Sequence, residues 1–322
     1  MRPILSICIP TYNRGHVLKD VLEKFITNPE FDDDVELVIS DNASSDDTEQ
    51  ICHDACLMHP NIVYHRNEVN IHDENFVRVL DLAKGEYLKL FNDWVYCTEE
   101  QLRYIKDKVR ENVLSREPLF FTGNHIYTKY KAREIHCVSL DEYVKVVSTF
   151  VTYNNIFGVW REQWVDVQGK HRYSALKLQQ EDWTYQLVDK RKGCVIYDDT
   201  VFNAYNRRLG PRGGYHWFQI HLDNYYNIMI PYIQSGLITR STFQQDKKNL
   251  LWHFRYQLGL CLFFNYTTNW KFETKGTFRL FWKYYSKDVY FYPFLLYLFF
   301  YHIYRMVRHL TGVLLRLMRI GL

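Results

Sequence analysis

The chain has 322 residues, of which 47% are hydrophobic and 24% charged, a balance that supports a sizeable buried core and excludes an intrinsically disordered chain. The net charge of +3 hides an asymmetry: beyond residue 269, nine Lys and Arg face only Glu273 and Asp288, so the rest is mildly acidic and is not built for nucleic acid. Seven cysteines, at 8, 52, 56, 97, 137, 194 and 261, form no Cys-x-x-Cys pair, which speaks against a zinc site. With no cleavable signal ahead of the first apolar run, they are expected to be free thiols in a reducing cytosol, with Cys52 and Cys56 on one helix face.

In chain order, short apolar runs at residues 4–9, 35–40, 62–65, 87–91 and 119–122 alternate with helical periodicity at 17–26, 47–58, 74–82 and 99–113. This βαβα rhythm predicts an α/β fold with a mostly parallel, doubly wound sheet flanked by helices. Residues 123–206 are less regular, with helices expected at 141–150 and 182–190 and strands at 156–159, 194–197 and 201–206. From residue 217 the pattern is helical to the end, broken at Gly236, Thr267-Thr268-Asn269 and Gly276.

The aromatic content of 17% is concentrated late. Residues 289–301 are uninterrupted apolar or aromatic, but they fall short of the ~20 needed to span a bilayer and they contain Pro293. Arg305, Arg308, Arg316 and Arg319 then recur beside Ile303, Met306, Val307, Leu310, Val313, Leu314 and Leu317, the layout of a basic amphipathic helix on an anionic membrane surface. A packed helix pair or an interface between copies of the chain is the other reading of the same aromatics.

No Gly-x-Gly-x-x-Gly follows the first strand and no Walker loop is present, which speaks against the usual dinucleotide oxidoreductases and nucleotidyl transfer. The first two strands instead end in polar turns, Pro10-Thr11-Tyr12-Asn13-Arg14 and Asp41-Asn42-Ala43-Ser44-Ser45-Asp46. In a parallel sheet such loops share the binding edge. Asp41 can there accept hydrogen bonds from a base or ribose, beside the short polar groups of Thr11 and Asn13. Asp41, Ser44 and Ser45 also suit a chain turn and a helix cap.

On these two strings the chain resembles family 2 glycosyltransferases of the GT-A fold, over residues 3 to about 206. The strings Cys8-Ile9-Pro10-Thr11-Tyr12-Asn13-Arg14 and Ser40-Asp41-Asn42-Ala43-Ser44 are closest to the abequosyltransferase-like branch that builds bacterial O-antigen or capsule. The resemblance implies a GT-A domain over 1–215, with a nucleotide-sugar half (1–122) and an acceptor half (123–215), followed by a helical, basic, aromatic region (216–322) outside the family. Pro10, Thr11, Tyr12, Asn13 and Asp41 become donor contacts. Arg66, Asn70 and Asn75 join them from an Asn-rich loop.

Asn92-Asp93-Trp94 occupies the place of the family's acidic motif, with Asp93 as its sole carboxylate. If Asp93 is the ligating position, Asn92 replaces the ribose contact and a divalent metal, Mn²⁺ or Mg²⁺, is retained weakly. If Trp94 is, the metal site is weakened or lost. Mg²⁺ takes only one or two protein carboxylates, so one Asp plus donor phosphates can suffice.

Glu181-Asp182 matches the family's Glu-Asp pair, which makes Asp182 the general base of an inverting transfer and Glu181 an acceptor-orienting group. Two acids at a helix start also stabilise the macrodipole. Arg207, Arg208 and Arg212, in a glycine-rich loop, suit a lid that pairs with the leaving diphosphate, or a solvated surface loop. The expected partners are a nucleotide-diphosphate sugar, a glycan or lipid-linked acceptor, the inner face of a bacterial plasma membrane, and a second copy of the chain. The main alternative is an impaired subunit that binds nucleotide sugar or scaffolds a polysaccharide assembly.

Overall fold

In a computed structural model of the chain, the described residues are 2–123, 133–205, 213–264 and 271–320. They divide into two compact units: residues 1–209 with 227–246, and residues 210–226 with 247–322.

In the first unit the expected rhythm is present as β1 (Leu5–Thr11), α1 (Gly15–Ile26), β2 (Val35–Asp41), α2 (Thr48–Met58), β3 (Ile62–Arg66), α3 (Asn75–Leu82) and β4 (Tyr87–Leu90). After these come β5 (Val95–Tyr96), α4 (Glu99–Glu111), β6 (Leu119–Phe121), β7 (Glu134–Cys137), α5 (Leu140–Val147), β8 (Gly158–Trp160), α6 (Arg161–Asp166), α7 (Gln179–Arg191), β9 (Cys194–Tyr197) and β10 (Asn203–Ala204). The central sheet has the order β3-β2-β1-β4-β8, parallel except for β8. Alternate residues feed two cores: Ile7, Ile9, Leu37 and Ile39 pack on one face with Leu18, Leu22 and Phe25 of α1. Cys8, Val38, Leu88 and Leu90 pack on the other with Val77 and Leu80 of α3 and Trp183 of α7. Both faces are covered, which explains why the strands read as continuous apolar runs.

Four expectations are corrected. The rhythm puts the strand at 119–122 in the parallel sheet, but β6 lies in a separate sheet of order β6-β9-β7. Its place beside β4 is taken by β8, which returns antiparallel. The run at 156–159 is half strand, since Asn154–Ile156 is a 3-10 turn, and the helix expected to reach Phe150 gives way to a 3-10 segment at Ser148–Thr152. The strand expected at 201–206 is only the two-residue β10, paired with β5.

The β4–β8 pair is tight. Tyr87 is fully buried and its hydroxyl donates to the Leu119 carbonyl at 2.6 Å, while a Cβ on Gly158 would sit 2.0 Å from that hydroxyl and 2.5 Å from its ring. Gly158→Ala is therefore expected to cost about 3 kcal/mol in urea unfolding, and a loss below about 1 kcal/mol would refute this packing.

α8 (Tyr225–Gln234) and α9 (Arg240–His253) supply residues 227–246 to the first unit. In the second unit β11 (Gly213–His216) pairs in parallel with β12 (Lys271–Glu273), two strands that helical periodicity did not reveal. The rest is helical: α10 (Arg255–Gly259), α11 (Thr277–Tyr285) and α12 (Phe291–Ile320). Phe218, Phe281, Tyr285, Phe291 and Leu298 form its interior. Pro293 sits in the first turn of α12, where a missing N–H costs nothing. Among the described residues no helix is long and apolar enough to cross a membrane.

Candidate functional site

Parallel register builds the first half of the site. Thr11, Asp41 and Arg66 are aligned neighbours at the carboxyl ends of β1, β2 and β3. The β1–β4 register pairs Cys8 with Leu90, so three residues further on Asp93 arrives beside Thr11, whose hydroxyl donates to its Oδ2 at 3.1 Å. One edge of four strands thus gathers the residues of four separate sequence segments, as expected of a parallel sheet.

The two loops at this edge are zipped together. Asn13, in the left-handed region at φ 51°, accepts from the Ser45 N–H at 2.7 Å through Oδ1 and donates its own N–H to Ser44 Oγ at 2.8 Å. Asp41 is fully buried and accepts from the Ser44 N–H at 3.0 Å, the Ser44 hydroxyl, and the Tyr64 hydroxyl at 2.8 Å. Beyond it, Asn75 bonds the backbone and hydroxyl of Ser40 and receives Asn67, while Asn70 accepts from the His72 N–H. In this state Asn13, Asp41, Asn70 and Asn75 have structural engagements. Tyr12, 47% exposed, presents its ring at the loop tip. Arg66 is exposed, donates to the Ser44 carbonyl at 3.0 Å and lies 3.3 Å from Glu49. Pro10 is half-buried at the strand end.

Asp93 is only 6% exposed, and burial holds its carboxyl up to about 6 against the opposing pull of Arg14 and Thr11. The Arg14 guanidinium lies 3.5 Å from Oδ1 and over the Trp94 ring at 5.3 Å. Arg14 belongs to the first motif, yet its role was not read from sequence, because nothing local says that its side chain reaches a carboxylate about eighty residues away. The chain offers one carboxylate here, and among the described residues no group of three metal-ligating side chains exists. This donor set fits a metal that arrives with phosphate ligands, not one held by protein alone.

The second half of the site is α7. Asn92 donates its N–H to Asn155 Oδ1 at 2.8 Å, and Gln180 donates to the Thr152 carbonyl at 3.1 Å, so residues 152–155 tie the Asp93 loop to the start of α7. Beneath this segment Lys89 is fully buried, donating to the carbonyls of Asn155 and Phe157. Burial brings its ammonium down to about 7.

Asp182 is 1% exposed, and its four lone-pair directions are all used: Arg172 binds both oxygens, Tyr232 donates to Oδ1 at 2.6 Å, and Gln186 donates to Oδ2 at 2.8 Å. Arg172 and Tyr232 were not read from sequence, since they lie ten residues before and fifty after it. Glu181 is fully buried, and neither of its carboxyl oxygens has a hydrogen-bond partner among the described residues. Burial pushes it well up against the opposing pull of the Tyr185 hydroxyl, and Asp246 and Asp182 add to the rise. Arg207, Arg208 and Arg212 lie outside the described residues.

All seven cysteines are free, and both Cys52 and Cys56 lie on α2, the first buried and the second half-buried. Among known proteins, residues 6–133 match the sequence model of the family described as "Glycosyl transferase family 2". Abequosyltransferase RfbV of Salmonella typhimurium is 38% identical over 102 residues, 31% of this chain and 29% of that protein, so the chain matches less than a third of its curated relative. TarS of S. aureus superposes with a TM-score of 0.56 at 16% identity, covering 82% of this chain and 46% of TarS. A mannosyltransferase from Pyrobaculum calidifontis, solved with GDP-Man and Mn²⁺, superposes at a TM-score of 0.53 and 15% identity, covering 79% of this chain and 70% of its own. These two likenesses concern the fold. With the motif-bearing loops at one edge of a mostly parallel sheet and the family match running across them, residues 6–133 carry the sequence signature of glycosyl transferase family 2, and the chain has the GT-A fold.

Proposed function

We propose that the protein is an inverting glycosyltransferase that moves a sugar from a nucleotide-diphosphate donor to a hydroxyl of a surface-glycan precursor, O-antigen or capsule, on a lipid-linked acceptor. The observation that carries this reading is the meeting of Thr11, Asp41, Arg66 and Asp93 at one sheet edge, tied through residues 152–155 to the acid pair on α7. Support comes from TarS, which has been solved with UDP and with UDP-GlcNAc, and from the name of the Salmonella relative.

In this reading residues 1–122 hold the donor, with Tyr12 stacking on the base and Asp41, Arg66 and the loop asparagines shaping its pocket, while 123–215 face the acceptor. Asp93 is the single protein ligand of a divalent ion carried by the donor phosphates, Asn92 stands at the ribose, and Arg14 adds fixed positive charge beside it. The ion, when bound, neutralises charge on the leaving diphosphate. Arg207, Arg208 and Arg212 are the proposed charge partners of the same phosphates.

Asp182 takes the acceptor hydroxyl's proton as that oxygen attacks the anomeric carbon and the bond to the diphosphate breaks, releasing the nucleoside diphosphate with inversion. One of its present partners must then leave. Arg172 is the one that can, its side chain being 44% exposed while Tyr232 is 8% exposed. Residues 216–322 dock on the cytosolic face of the membrane through α11 and α12, and copies of the chain associate through the same aromatics.

The alternative, an impaired subunit that binds nucleotide sugar or scaffolds an assembly, is favoured by two observations: Asp182 is saturated by partners, and Asp93 stands without a second carboxylate among the described residues. Calorimetric titration with UDP, GDP, CDP and TDP, each with Mn²⁺, Mg²⁺ or chelator, tests the donor site. One nucleotide is expected to bind, at least tenfold more tightly with metal. Absence of binding by all four sinks the enzyme reading.

A further inference from the structure

The second unit contains a concave feature that the transferase site does not use. A cleft of about 450 Å³ is lined by His216 and Gln219 from the start of the unit, by Lys275 in the turn before α11, and by Arg279 and Lys283 along that helix. Arg279 and Lys283 are four residues apart on one face of the helix, and Lys275 joins them from the turn that precedes it. Among the described residues no carboxylate lines the cleft. Lys283 is paired with Asp223, whereas Lys275 and Arg279 are exposed and form no ion pair among the described residues.

The cleft is held in shape. His216 accepts the Gln219 N–H on Nδ1 at 3.0 Å, so its Nε2 carries the proton and donates to the Lys275 carbonyl at 3.0 Å. This ties the end of β11 to the turn that launches α11. The positive end of the α11 dipole adds to the same field. Beside the basic row a second row, Phe278 and Trp282, is 48% and 45% exposed. Trp282 meets Tyr292 of α12, itself 47% exposed, at 6.4 Å between ring centroids. A cationic recess flanked by outward-facing amphipathic rings suits an anion carried at a membrane interface: the rings sit at headgroup level and the cations reach a phosphate.

We propose that this cleft binds a phosphate or diphosphate group carried on a lipid, with Lys275 and Arg279 as its charge partners and Trp282 seated in the interface. The inference deepens the membrane reading above and rests on it for the lipid, while the cleft itself is independent of the donor site. The chemistry is shared by an anionic phospholipid headgroup and by the diphosphate of a lipid carrier, and vesicle composition separates them.

The test is co-sedimentation of the full chain with phosphatidylcholine vesicles, alone, with about 20% phosphatidic acid, or with about 2% polyisoprenyl diphosphate. The wild type is expected to prefer the phosphate-bearing vesicles. Preference for phosphatidic acid names a headgroup; preference for the dilute diphosphate lipid names a carrier. The double variant Lys275→Ala with Arg279→Ala should lose roughly 30-fold, while Lys287→Ala, an exposed charge outside the cleft, should lose no more than about fivefold. Quenching of tryptophan emission by brominated lipid should fall in Trp282→Phe. If the double variant binds as the wild type does, or loses no more than Lys287→Ala, the cleft is overturned and membrane docking stands. If the wild type binds none of the vesicles, both fall. Unchanged thermal unfolding of the double variant excludes misfolding as the cause.

Discussion

Asp93→Asn is expected to make the protein more stable at neutral pH while weakening metal-dependent nucleotide binding by at least tenfold. The carboxyl of Asp93 is raised by burial from its ordinary value near 3.8 to about 6. The folded state therefore holds a proton that the unfolded chain has already released between those values. By linkage, the contribution of this one group is most favourable below pH 4, falls as pH rises through the window from about 4 to 6, and levels off above it. Two pKa units correspond to about 3 kcal/mol, an upper figure because Asn also alters the bonds to Thr11 and Arg14. Urea unfolding of both proteins at pH 4 and pH 7.5 reads this directly: the variant's advantage should be near zero at the first and largest at the second. An advantage that does not change with pH would show that the ionised carboxylate is not strained. The same desolvation gives a cation at Asp93 its purpose, since it would relieve the buried charge.

Asp182→Asn should lower turnover by roughly 10³-fold or more with donor affinity unchanged within about threefold, because an amide cannot take the acceptor's proton. Folding should survive. Asn keeps an oxygen for Tyr232, and Arg172 is exposed enough to be solvated once its partner is neutral, so a loss of about 1–2 kcal/mol is expected. Turnover measured with donor and acceptor saturating, set beside nucleotide titration, separates the outcomes. Unchanged turnover would remove Asp182 from the chemistry and turn attention to the scaffold reading. Arg172→Ala gives a further split: if the guanidinium only occupies the base, turnover is preserved or raised, whereas a fall in turnover assigns it a role during transfer.

Much of the fold was legible because parallel strands buried on both faces leave an unmistakable trace. Ile7 and Ile9 with Leu37 and Ile39 form apolar runs that end in polar turns, and helical periodicity lies between them. Short strands were harder. β6 reads like any strand of the main sheet, and only the partner chosen, β9 over β4, excludes it. β5, β10, β11 and β12 are two to four residues long, too short to show a period.

The same division holds for the site. Local chemistry determined that Asp41, Asp93 and the Glu181-Asp182 pair stand at element ends, in loops rich in short polar side chains, and that the family's motifs occupy those places. Their state was decided by tertiary structure, because it depends on groups distant in the chain. Ser44 and Tyr64 surround Asp41, Arg14 and burial set the proton affinity of Asp93, and Arg172, Gln186 and Tyr232 fill every lone pair of Asp182. A sequence places a carboxylate on a turn or a helix; desolvation and partner charges, which come from packing, decide whether it is ionised, paired or available.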